Sequence, residues 1–103
     1  MSDVTQQVDL TYEMVVRRVE ALDRSQVSIG VLGDVFGYEI QALKVGQKAD
    51  HKKSILMTGG VHGDEPAGIE AVLRFLEGPV EAYLDDFFFS IVPCVNPSGL
   101  YLG

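Results

Sequence analysis

A single cysteine, Cys94, occurs in the whole 103-residue chain. One thiol excludes an internal disulfide framework, so the fold must be held by burial and hydrogen bonding, and it suits a reducing compartment. On its own it reads as a small buried hydrophobe. Basic residues are also scarce, with 8 Lys and Arg against 15 Asp and Glu and a formal net charge of -7. A protein that grips a phosphate backbone gathers Lys and Arg on one face, so a nucleic-acid partner is not expected. The one basic cluster, Lys48, Lys52 and Lys53 around His51, has the character of a solvated loop. Long hydrophobic runs are missing too. The longest, Phe87 to Val95, is broken by Ser90 and Pro93 and falls well short of the roughly 20 residues a membrane helix needs, so no membrane partner is expected. The chain does not open with a basic stretch followed by an apolar one; no secretory signal is read, and the cytoplasm is the expected location.

What is present is an ordinary globular composition. Hydrophobic residues make up 47% of the chain and charged residues 22%, enough apolar surface for one folded domain of modest stability. Tyr12, Val15, Val16, Val19 and Leu22 recur on one helical face, with Asp9 or Thr11 placed to cap it. Glu13 and Arg17, and Glu20 and Arg24, sit four apart on the exposed side. Val27 to Leu32 and Tyr38 to Val45 are rich in β-branched and aromatic residues and flank the turn formers Gly33, Asp34 and Gly37, which predicts a β-hairpin. Ser54 to Gly60 reads as a short buried strand. Pro66 is placed to open a helix whose apolar face is Ile69, Val72, Leu73 and Leu76, ended by Gly78 and Pro79. Phe87 to Val92 is nearly continuous in apolar residues, as expected of a strand covered on both faces. The order helix, hairpin, strand, helix, strand makes the fold class α/β, with a mixed sheet, helices packed on it and a final parallel crossover.

In open α/β sheets ligands bind beyond the carboxyl ends of the strands, and two stretches fall there: Gly59 to Glu65 and Asn96 to Gly99. The first reads Gly-Gly-Val-His-Gly-Asp-Glu-Pro-Ala-Gly from Gly59 to Gly68 and places the imidazole of His62 three residues before the carboxylate of Glu65. Both are zinc donors, which bind at about 2.0 to 2.2 Å, and the glycines allow the sharp bend that would aim them at one point. The same two residues also suit a bland role, with His62 in a loop and Glu65 complementing a helix N-terminus. A lone His-x-x-Glu occurs by chance in many proteins, and on spacing alone the bland role ranks above the metal one. His51 is a poor third donor, because the strand between it and His62 separates them by roughly 20 Å at about 3.3 Å per residue. Asp64, Asp85 and Asp86 read as turn and strand-entrance residues.

The ten residues from Gly59, followed after one helix by an apolar strand and Val95-Asn96-Pro97-Ser98-Gly99, resemble the zinc carboxypeptidase family, the carboxypeptidase A-like metallopeptidases. The resemblance runs over roughly residues 27–103 and includes the strand Tyr38 to Val45; residues 1–26, an amphipathic helix segment, add nothing specific to it. It implies that residues 27–103 are the N-terminal portion of a catalytic domain, that His62 and Glu65 are the first two ligands of Zn2+, and that Asn96 to Gly99 form the family's Asn-Pro-Asp-Gly turn, with Ser98 in place of Asp. The third ligand, a histidine, the carbonyl-polarising arginine, the substrate-binding groups and the general-base glutamate are implied to lie beyond Gly103. The implied activity is hydrolysis of C-terminal peptide bonds. A zinc deacylase of the aspartoacylase and succinylglutamate desuccinylase type, acting on N-acyl amino acids, is the alternative, and a non-catalytic truncated domain is a third reading. Such a domain would present an unpaired sheet edge open to self-association.

Overall fold

The computed structural model describes residues 10–60 and 66–97. Helix α1, Tyr12–Glu20, begins where Thr11 in extended conformation accepts a hydrogen bond from the Met14 N–H at 3.2 Å, so Thr11 fills the capping role. Val15 and Val19 point into the core. Tyr12 reaches the hairpin, its hydroxyl donating to the Glu39 carbonyl at 3.2 Å and its ring edge-on to Tyr38 at 5.0 Å. The helix stops at Glu20, so Arg24 lies beyond it and the expected support from Glu20 does not form along a helical face. Two ion pairs of the described residues run instead from Arg18 to Glu70 and Glu77, far along the chain.

Strands β1, Val27–Val35, and β2, Tyr38–Val45, form the expected antiparallel hairpin. Its two loop residues, Phe36 and Gly37, both take positive φ, 51° and 82°, the geometry that matches the twist of a tight hairpin. β1 runs three residues past the expected end at Leu32. A bulge between Val31 and Gly33 leaves Leu32 unpaired and lets pairing resume at Gly33 and Ile40, so the turn formers Gly33 and Asp34 belong to the strand.

Strand β3, Lys53–Thr58, helix α2, Pro66–Leu76, a short 3-10 helix, Pro79–Tyr83, and strand β4, Phe87–Val92, complete the unit. β3 ends two residues before the expected limit at Gly60, whereas β4 and the start of α2 fall where the residue pattern puts them. The sheet order is β1-β2-β4-β3, with β4 antiparallel to β2 and parallel to β3. The sheet is therefore mixed, as expected.

Register decides which residues make the core. Leu43 faces Ile91, Val45 faces Phe89, and Ile55 and Met57 face Phe89 and Ile91 from the other side. These residues share one face, where they meet Val15 and Val19 of α1 and Ile69, Val72, Leu73 and Leu76 of α2. On the opposite face Lys44 donates to the Ser90 hydroxyl at 2.9 Å, and Leu56 is 73% exposed. The two-sided cover expected for β4 is thus one-sided among the described residues, because α1, α2 and the 3-10 helix all pack on the same face. Arg18 ties the helices together: its guanidinium donates to Glu70 at 2.6 and 3.0 Å and to Glu77 at two distances of 2.8 Å. Arg74, one turn from Glu70, adds a bond of 2.7 Å.

Candidate metal centre

The parallel pairing of β3 and β4 does not stop at the ends of the strands. The Gly59 N–H donates to the Val92 carbonyl at 2.9 Å, the Val95 N–H to Gly59 at 2.9 Å and the Asn96 N–H to Gly60 at 3.2 Å. This extension sets Gly59-Gly60 beside Val95-Asn96 at the carboxyl end of the sheet. Gly60 has φ of 70°, a left-handed conformation that glycine adopts without a Cβ penalty. Pro93 and Pro97 are fully buried on either side of Cys94 and Asn96, which fixes the chain as it leaves β4. α2 starts at Pro66, and its Ile69 side chain packs against the backbone of Gly60.

His62 and Glu65 lie outside the described residues, as does Ser98. Their flanks do not: Gly60 precedes them, Pro66 follows them, and both stand at the same end of the sheet as Asn96. As donors, an imidazole nitrogen and a carboxylate oxygen suit zinc, which takes both. Cys94 is the described side chain nearby that could compete. It is buried, and burial pushes its thiol pKa up, against a smaller opposing effect of a hydrogen bond with the Asn96 backbone. A thiol held protonated is a poor zinc ligand, since the thiolate is the form that binds. Among the described residues no three His, Cys, Asp or Glu side chains converge as a metal site.

His51 stands at the opposite end of β3, exposed, with its Nε2 donating to the Asp85 carbonyl at 3.2 Å. The strand length keeps it away from the Gly60 end, as expected. Asp85 and Asp86 are exposed where the chain enters β4, as their reading as solvated residues requires. The ion-pair cluster is what local spacing did not disclose, because Glu70 and Glu77 lie 52 and 59 residues from Arg18.

The sequence profile of the zinc carboxypeptidases matches residues 12–103. The chain belongs to that family. The match takes in α1, which carries no motif of its own. An inactive metallocarboxypeptidase of Saccharomyces cerevisiae is 35% identical over 89 residues, covering 73% of this chain and 21% of that protein. Among solved structures, a metallo-carboxypeptidase from Burkholderia cenocepacia superposes with a TM-score of 0.75 at 25% identity over 84% of this chain and 27% of its own. Bovine thrombin-activatable fibrinolysis inhibitor, solved with a tick carboxypeptidase inhibitor, gives 0.63 at 25% identity over 87% of this chain and 29% of its own. The chain thus spans less than a third of the length of these relatives.

Proposed function

We propose that this chain is part of a zinc-dependent metallocarboxypeptidase that hydrolyses the C-terminal bond of a peptide, with His62 and Glu65 as two of its metal ligands. The observation that carries this reading is the hydrogen-bonded extension from Gly59-Gly60 to Val95-Asn96. It brings the flanks of both family-like motifs to the sheet end where ligands of α/β proteins bind. His62 and Glu65 would hold the ion, and zinc so bound supplies polarisation of the scissile carbonyl and a bound water of lowered pKa. The residues of this chain hold and orient; the third ligand, the general base and the groups that clasp the substrate are not assigned within it. Two ligands leave a site open to solvent, so the 103-residue chain by itself should show negligible peptidase activity.

A second reading, a domain that keeps the fold without catalysis, is favoured by one observation: a relative at 35% identity is itself an inactive metallocarboxypeptidase. The test uses a polypeptide that continues this chain to the length of its relatives. Metal content is measured for that protein and its His62→Ala variant, and turnover is measured on peptides with free and amidated C-termini and on N-acyl amino acids. Loss of zinc in the variant and cleavage of free C-termini alone are expected. Unchanged zinc in the variant would remove the ligand assignment. Turnover of N-acyl amino acids alone would make the protein a deacylase, and bound zinc without any turnover would favour the non-catalytic reading.

A further inference from the structure

At Gly59 two strands and a helix approach one another more closely than any side chain permits. A Cβ there would stand 2.6 Å from the Pro93 carbonyl oxygen, 3.2 Å from the Gly68 carbonyl oxygen and 3.2 Å from Val72 Cγ2. The two oxygens are backbone and cannot rotate aside. At Gly60 a Cβ would lie 2.9 Å from both Cγ1 and Cδ1 of Ile69, and the left-handed φ of 70° adds strain for any L side chain. On the far side of the same contact there is room, since the nearest atom to a Cβ on Gly68 is the Gly60 nitrogen at 4.0 Å.

Gly60 and Pro66 bound the segment that carries His62 and Glu65, so the Gly59 contact with Pro93 and Gly68 sets how its two ends stand to each other. Relieving a 2.6 Å contact to an ordinary 3.4 Å takes a shift of about 0.8 Å. That exceeds the roughly 0.5 Å within which a functional constellation must be held. We infer that Gly59 and Gly60 are positioning residues for the metal, acting through the spacing of β3, the end of β4 and the first turn of α2. The inference rests on the zinc reading above.

The test is a zinc titration of the 103-residue chain followed through its two histidine imidazoles by NMR. His62 reports binding, and His51, held on the Asp85 carbonyl at the other end of β3, serves as internal control. Melting temperature is recorded for each variant. Gly59→Ala should raise the zinc midpoint by roughly tenfold, the lower end for loss of an outer support of a metal site. Gly68→Ala, whose Cβ meets no atom nearer than the Gly60 nitrogen at 4.0 Å, should leave the midpoint within about twofold and melt no lower than the wild type. Should Gly59→Ala not fold, Gly60→Ala decides with the same roughly tenfold expectation, because its contact falls on a side chain, Ile69, and not on fixed backbone, while its φ of 70° still strains the segment. A folded Gly59→Ala or Gly60→Ala with the wild-type midpoint would overturn the inference. No response of His62 in the unaltered chain up to millimolar zinc would also overturn the inference, whereas the zinc reading stands or falls with the metal content of the longer protein and its His62→Ala variant.

Discussion

Replacing Arg18 by Met should abolish part of the stability that the wild-type protein loses in acid. Arg18 holds Glu70, whose side chain is 16% exposed, at 2.6 Å and Glu77 at 2.8 Å. Hydrogen bonds from Arg18 and then Arg74 hold the Glu70 carboxyl down at about 2, against an ordinary 4.5, and Arg18 lowers Glu77 in the same direction. A carboxylate whose folded-state pKa lies below its unfolded value adds stability above the unfolded value and loses it as pH falls toward the folded one. For Glu70 that window runs from 4.5 down to about 2. At about 1.36 kcal/mol per pH unit the full span is worth about 3.4 kcal/mol. Solvent reaches Arg18 and Glu77, 26% and 37% exposed, and screens the pairs. A discounted value of about 2 kcal/mol is therefore the working figure. Arg74, itself 76% exposed, remains in the variant and contributes only the roughly 0.3 to 0.5 kcal/mol of a helical i,i+4 pair. The assay is urea unfolding followed by circular dichroism at a series of pH values from neutrality to about pH 2, on the wild type and Arg18→Met. The wild type should lose about 2 kcal/mol more than the variant across that window. Parallel stability curves would show that the guanidinium does not hold Glu70.

The hairpin tip offers a gain. Phe36 is 85% exposed with φ of 51°, so it packs little and bears the left-handed penalty; Phe36→Asn, a residue that tolerates this conformation, should stabilise by roughly 1 kcal/mol in the same unfolding assay. The core offers a loss. Ile91 is fully buried at the centre of the sheet, and Ile91→Ala should cost about 2 to 5 kcal/mol through lost burial and the cavity left behind, which a large fall in melting temperature would reveal.

Elements built from local pattern were legible in the sequence. The spacing of Ile69, Val72, Leu73 and Leu76 after Pro66 marked α2 because a helix buries one stripe, and all four residues are buried. The apolar run from Phe87 to Val92 marked β4 to the residue. The end of β1 was not legible, since it depends on a bulge at Leu32 that only pairing with Gln41 and Ile40 can define. Neither were the partners of Arg18, which local spacing cannot reach across 52 and 59 residues. At the candidate site, His62 and Glu65 stood out by residue type and by resemblance. The demand for a bare backbone at Gly59 did not, because it comes from Pro93 and from the packing of α2.

The sheet order has a consequence for how the chain comes together. β4 follows both β2 and β3 in sequence yet lies between them, and it is the strand with which each of them pairs across the sheet. During synthesis the hairpin can close early, whereas β3 has no strand to pair with until Phe87–Val92 has left the ribosome. Until then Ile55, Met57 and the apolar stripe of α2 are without their central partner, and chaperones have an exposed target. A shortened product that stops ahead of Phe87 would not be a smaller sheet. It would be a marginal hairpin tethered to an unpaired strand, so a nonsense change anywhere in that interval should yield a product cleared by proteolysis.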